Sequence, residues 1–289
     1  MTRVDMFGTA PGRGAALDVL VPEGPRADDA VAHAAAHART TDDTVESALV
    51  SECSRQQRTF ASRIFNTGGE TPFGTHSLAG VAALLVSRGH LDPGEVGRKS
   101  DAGCQWLRTD GREVEVPFSG PVVDHEIPAD PALFGSYDGT PRASGVGRAF
   151  TILRVSDDPR ALPVPDAKRM ADLGLTDLTL FRWDPDNREV LARVFAPGFG
   201  LPEDPGCLPA ASALGLTALA LTAPGDREEP VTIRQVTGNG TESVLRCTGS
   251  VHDGAAQVRV TARVWADGDR VWAEGDRVRA DGDRKARTG

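Results

Sequence analysis

Lysine is scarce in this chain: three occur among 289 residues, and arginine makes up the rest of a basic total of 32. Against 41 acidic residues the formal net charge is -9. Phosphate binding needs a basic face, so the lack of a basic excess argues against nucleic acid as the main partner. A small anion is not excluded, because one pocket can oppose the global field. Cysteine is scarce too. Cys53, Cys104, Cys207 and Cys247 are widely spaced and form no CxxC pair. That rules out the usual zinc patterns and a disulfide framework, and no metal is expected. The opening residues, Met1–Asp5, lack an apolar leader core. The longest apolar run, residues 209–223, falls short of the about 20 residues a membrane span needs. These absences predict a cytoplasmic protein with no membrane partner.

What is present is ordinary globular composition, 39% hydrophobic and 25% charged, in a chain long enough for two domains with sizeable cores. Strands are predicted at Arg3–Phe7, Ala16–Val21, Glu46–Ser51 and Thr59–Phe65, where β-branched and apolar residues run between Gly/Pro loops. The Ala-rich stretch Arg26–Arg39 reads as a helix. Thr75–Arg88 reads as a buried apolar helix, with a capping hydroxyl at its His76–Ser77 start and Gly89 as its stop. Residues 117–147, rich in Pro, Gly and Asp, read as a linker. After it come strands at Phe150–Val155, Asp177–Arg182 and Val190–Phe195, helices at Asp166–Leu173 and Ala210–Ala223, and further strands from Val231. His33 and His37 share a helix face at metal-binding spacing, but no HExxH pattern accompanies them, and an ordinary helix surface is expected. Asn239–Thr241 matches a glycosylation pattern and reads as a turn.

One order of features occurs twice. Arg63-Ile64-Phe65 precedes a glycine loop, Glu70, a proline and the apolar helix after His76. Arg193-Val194-Phe195 precedes a glycine loop, Glu203-Asp204-Pro205 and the apolar helix after Pro209, 130 residues later. This echo predicts two similar lobes, 1–125 and 126–268. A short repeat, Arg263–Asp269, Arg270–Asp276 and Arg277–Asp283, follows. Its first copy is expected to end the last core strand. The rest, 269–289, forms a repetitive tail whose Asp-Gly-Asp units lack the spacing of a calcium loop.

Chemistry is to be sought at the two helix starts. A helix N-terminus carries free N–H groups and partial positive charge, which suits a carboxylate. A histidine there, His76, can donate a hydrogen bond to substrate or relay a proton, or simply cap the helix. Glu203-Asp204 at the other start can take part in catalysis or simply complement the helix dipole. If the lobes face each other, both starts converge on one apolar cleft, which is the arrangement proton transfer requires.

The motifs Glu70-Thr71-Pro72-Phe73-Gly74-Thr75-His76-Ser77-Leu78-Ala79-Gly80 and Glu203-Asp204-Pro205-Gly206-Cys207-Leu208-Pro209-Ala210, with the opening Val4-Asp5-Met6-Phe7 and the segment Val45–Val50, resemble those of the PhzF-like (phenazine-biosynthesis-like) isomerases over residues 3–265. The resemblance implies an α/β (α+β), diaminopimelate-epimerase-like fold. Each of its two pseudo-symmetric lobes is a mostly antiparallel sheet rolled around a central apolar helix, with the cleft between the lobes. It implies an isomerase that needs no cofactor and moves a proton, shifting a double bond, on a small unsaturated carboxylate. The setting would be secondary metabolism of the phenazine or alkylproline kind, and the enzyme a homodimer. It places the acid/base on Glu46, with Glu52 as competitor, and gives His76 and Asp204 the task of positioning and polarising substrate. Gly74, Thr75, Ser77, Cys207 and Leu208 would contact it.

The match has departures. A family glycine is Thr75 here, and the family's Thr-Gly-Ser is Cys207-Leu208-Pro209. Pro209 has no N–H to offer an anion. These changes predict a different substrate or a weakened activity. They also leave two other readings open: a non-catalytic member of the fold that binds a metabolite or a protein, and a cysteine-dependent racemase or epimerase. The latter would need a thiol in each lobe, and only Cys207 is suitably placed.

Overall fold

The computed structural model describes residues 1–22, 27–40, 46–72, 74–100, 103–222 and 229–266. In the first half, β1 (Thr2–Met6), β2 (Ala15–Leu20), α1 (Ala27–Thr40), β3 (Glu46–Ser54), β4 (Thr59–Asn66) and β5 (Gly69–Thr71) lead into α2 (Thr75–Ser87). After it come β6 (Gly94–Ser100), β7 (Gly103–Thr109) and β8 (Glu113–Glu126). The second half repeats the pattern. Past α3 (Pro131–Phe134) it runs β9 (Arg142–Val146), β10 (Phe150–Arg154), α4 (Ala167–Asp172), β11 (Leu178–Asp184), β12 (Glu189–Ala196) and β13 (Leu201–Asp204) into α5 (Leu208–Leu221). It ends with β14 (Val231–Val236), β15 (Glu242–His252) and β16 (Ala255–Ala266).

Among the described residues the strands form one sixteen-stranded sheet that closes on itself twice. One ring runs β1-β2-β3-β4-β6-β7-β8-β16 and back to β1. The other runs β8-β9-β10-β11-β12-β14-β15-β16 and back to β8. The rings share β8 and β16. Both are mostly antiparallel, and their parallel pairs fall in matching places: β2–β3 and β4–β6 in the first, β10–β11 and β12–β14 in the second. The α/β class, the two pseudo-symmetric lobes and the central helices expected from sequence are all present.

Each ring wraps an apolar helix. α2 packs against β1, β2, β3, β6, β7, β8 and β16, and α5 against β8, β9, β10, β12, β14, β15 and β16. Residues His76 through Val86 of α2 are all buried. A helix apolar all round has no face to show to water, and enclosure in a closed sheet is the stable outcome. α1 instead lies outside, against β3 and β4, on the small cluster Ala34, Ala38, Leu49 and Phe65.

The sequence echo has a physical basis. In both lobes the arginine and glutamate pair across the same hairpin: Arg63 Nε donates to Glu70 Oε1 at 2.7 Å, and Arg193 Nε to Glu203 Oε1 at 2.5 Å. Each guanidinium also lies over the phenylalanine two residues on, Phe65 or Phe195.

Three expectations need correction. The segment 117–147 is not a linker: it forms the outer half of β8, then α3 and β9. Two of its prolines, Pro117 and Pro121, lie between the stretch of β8 that pairs β7 and the stretch that pairs β9. There β8 has β16 on one side only, so a missing N–H costs no ladder bond on the other. The Ser77 hydroxyl does not cap α2. The N-cap is Gly74, without a side-chain cap. Helix α5 begins at Leu208, two residues before the expected Ala210. Of the smaller readings, Asn239–Thr241 lies in the turn between β14 and β15, where Gly240 donates to the Thr237 carbonyl. His37 bonds Asp18 at 2.7 Å, and His33 is exposed. The first C-terminal repeat copy does end β16, at Ala266. The tail 269–289 lies outside the described residues.

Candidate active site

Where α2 and α5 begin, a cavity of about 350 Å³ opens. Its lining includes Glu46, Gly74, Thr75, His76, Asp204 and Cys207. Six of the residues expected from sequence are thus brought to one cavity from positions as far apart as 46 and 207. Ser77 and Leu208 are not on that lining. Both are fully buried, Ser77 behind Glu46 and Leu208 in the main core. Glu52, the competitor of Glu46, sits at the exposed far end of β3 and pairs with Lys99 at 3.2 Å.

Glu46 is the first residue of β3 and only 3% exposed. Its Oε2 accepts the Ser77 hydroxyl and lies 3.1 Å from His76 Nε2. With the Ser77 hydroxyl already on the same oxygen, the imidazole contact is close but poorly aligned, more ion pair than hydrogen bond. Gly74 makes this approach possible. Its φ of 132° favours glycine, and a Cβ there would stand 2.7 Å from Ile64 Cδ1 and 3.1 Å from Glu46 Oε2. Burial disfavours a charged His76, but the charges of Glu46 and then Asp204 outweigh it and lift the imidazole to about 9. An imidazolium next to the carboxylate is the result.

Asp204 ends β13 and turns back so that Oδ1 accepts the Gly206 N–H at 2.9 Å. Its carboxyl is pushed up by burial, with the His76 charge opposing. Cys207 is the N-cap of α5 and is gripped at both backbone atoms by Gln235, whose Oε1 accepts its N–H at 2.6 Å and whose Nε2 donates to its carbonyl at 2.8 Å. Burial, then the Asp204 charge, holds the Cys207 thiol well above its usual range. A thiol so held is a poor base, and the position matching it in the first lobe is Gly74.

Several lining residues went unnoticed in the sequence: Arg98, Gln105, Arg148, Asp177 and Ser212. Asp177 was findable. β3 and β4 align Ser47 with Phe65, and β11 and β12 align Leu178 with Phe195. Carried back one residue along the echo, Asp177 is the counterpart of Glu46. It is 3% exposed, accepts the Thr151 N–H at 2.8 Å and the Thr176 hydroxyl at 2.9 Å, and is pushed up by burial. Arg148 faces that carboxylate and lies over the Phe199 ring at 4.8 Å. At the rim, Asn66 Nδ2 donates to the Phe199 carbonyl at 2.9 Å, tying one glycine loop to the other. Among the described residues no group of three or more His, Cys, Asp or Glu could hold a metal, and no helix is long and apolar enough to cross a membrane.

No family model matches the sequence, and no curated protein matches it. Solved structures do match by shape, among them PhzF-family proteins, a predicted epimerase and a hydroxyproline epimerase. A phenazine biosynthesis protein of the PhzF family from Enterococcus faecalis has a TM-score of 0.70 at 17% identity, over 92% of this chain and 97% of that one. A predicted epimerase from Pseudomonas aeruginosa has 0.69 at 22%, over 92% and 96%. A hydroxyproline epimerase from Agrobacterium vitis, with bound trans-4-hydroxy-L-proline, has 0.55 at 16%, over 92% and 91%. The fold is therefore the PhzF-like, diaminopimelate-epimerase-like one.

Proposed function

We propose that this chain is a cofactor-independent isomerase that moves a proton on a small unsaturated carboxylate. Glu46 takes a proton from one carbon, the π electrons shift, and the carboxyl returns the proton to another carbon, so that nothing is gained or lost overall. His76, charged at neutral pH, and Asp204 hold the substrate and stabilise the charge that develops as the C–H bond breaks. The observation that carries this reading is the enclosed Glu46–His76 pair, 3.1 Å apart on the wall of a cavity that also holds Asp204. Buried titratable groups in contact within one cleft are the usual setting of proton transfer. Secondary metabolism of the phenazine or alkylproline kind, a cytoplasmic location, a homodimer and lobes at 1–125 and 126–268 belong to the same proposal.

The test is incubation in deuterated water with unsaturated ring carboxylates, followed by NMR for carbon-bound deuterium. Incorporation by the wild type and its loss in Glu46→Gln support the reading. Incorporation unchanged in Glu46→Gln removes Glu46 as the base. A second reading, a non-catalytic binder, draws support from α5, where Pro209 lies at the second helical position without an N–H. Ligand binding without exchange by any candidate favours it.

A further inference from the structure

One cation on the cavity wall is not accounted for by the proton-transfer chemistry. Arg98, on β6, lines the cavity and is 9% exposed. Its Nη2 donates to the Ser62 carbonyl at 3.3 Å, a long bond, and its enclosed Nε has no hydrogen-bond partner among the described residues. Burying a guanidinium with its donors only partly satisfied is costly. The fold does not need it there. Along the echo, Phe60 of β4 corresponds to Val190 of β12. The residue paired with Phe60 across the parallel ladder is Arg98, whereas the one paired with Val190 is Ile233. Ile233 is fully buried core. A charged residue thus stands in the first lobe where the second lobe has an isoleucine.

Arg148, the other guanidinium of the lining, faces Asp177 and lies over aromatic rings, so Arg98 is the guanidinium with an open donor. Glu46 is near enough to favour the charged guanidinium against the burial that opposes it. Gln105, directly across the β6–β7 ladder from Arg98, also reaches the cavity and adds an amide beside the guanidinium.

We propose that Arg98 is the anchor for a carboxylate of the ligand, so that the anion docks on the wall of the first lobe rather than at the α5 start. A planar guanidinium matches a carboxylate through two parallel N–H bonds. A singly charged carboxylate suits this cavity better than a phosphate ester, because Glu46, Asp177 and Asp204 already line it. The inference rests on the reading of this cavity as the substrate site and adds where the substrate's charge goes.

Benzoate and its uncharged isostere benzamide probe the site by calorimetry on the full chain. The wild type is expected to prefer benzoate, and Arg98→Gln to lose about tenfold or more in benzoate affinity while benzamide is unaffected. Arg98→Met, which puts an apolar chain where Ile233 stands in the other lobe, keeps or raises the melting temperature and shows the same loss. Glu46→Gln lowers proton exchange by about a hundredfold or more yet retains the benzoate preference, which separates this inference from the isomerase reading. An equal preference in the wild type and Arg98→Gln overturns the anchor. So does a wild type that makes no distinction between the two probes. Inorganic phosphate bound as tightly as benzoate overturns the choice of carboxylate.

Discussion

The two helix starts at the cavity are built on one plan and carry different chemistry. At α2, the turn at Gly74 brings His76 against Glu46, and the first-turn N–H groups, which a helix leaves without internal partners, are all present. At α5, Leu208 faces the core and Pro209 removes one of those donors. The bracing runs the other way. Gln235 holds Cys207 at both backbone atoms, and the Arg193–Glu203 pair is 6% and 21% exposed, against 43% and 46% for Arg63–Glu70. The buried histidine–carboxylate pair stands at the first start, and the more enclosed bracing at the second.

That contrast can be broken at several points. The largest effect is expected from Glu46→Gln, which should lower deuterium exchange by about a hundredfold or more, the usual weight of a general acid/base. Smaller, and visible in stability, is the pH dependence from His76. Its folded pKa of about 9 lies above the ordinary 6.5, so its protonation supports the fold fully below 6.5, and that support is lost as the pH rises through 9. Urea titrations at stepped pH should show this decline, and His76→Gln should flatten it. Next come the two ion pairs: Glu203→Gln should cost about 1–3 kcal/mol and Glu70→Gln less than about 1 kcal/mol in the same titrations, because only the first leaves an arginine enclosed. Equal costs would dissolve the contrast in bracing. The smallest effect is expected from giving α5 back its donor: Pro209→Ser should tighten benzoate binding by no more than about threefold, since one N–H adds little where Arg98 holds the anion.

The sequence made α2 and α5 visible because uninterrupted apolar composition with glycine or proline at the ends leaves few alternatives. It brought Glu46, His76 and Asp204 into view through motifs around them. Arg98 and Gln105 stayed hidden because their reach into the cavity depends on the β4–β6 and β6–β7 registers, which no local pattern reveals. Asp177 is within reach of the echo, because the strand before Phe195 corresponds to the strand before Phe65, which Glu46 opens. The strand β8 is not legible in the sequence, because proline and glycine counts say nothing about which side of a strand lacks a neighbour.

The two strands held in common, β8 and β16, also set the order of events during synthesis. The first ring needs β16 to bridge β1 and β8, so it stays open until residues 255–266 have left the ribosome. The early half of the chain therefore cannot seal its ring until everything after it has been made. Closure then couples residues more than two hundred positions apart, a topology that makes folding slow and leaves strand edges in need of protection meanwhile.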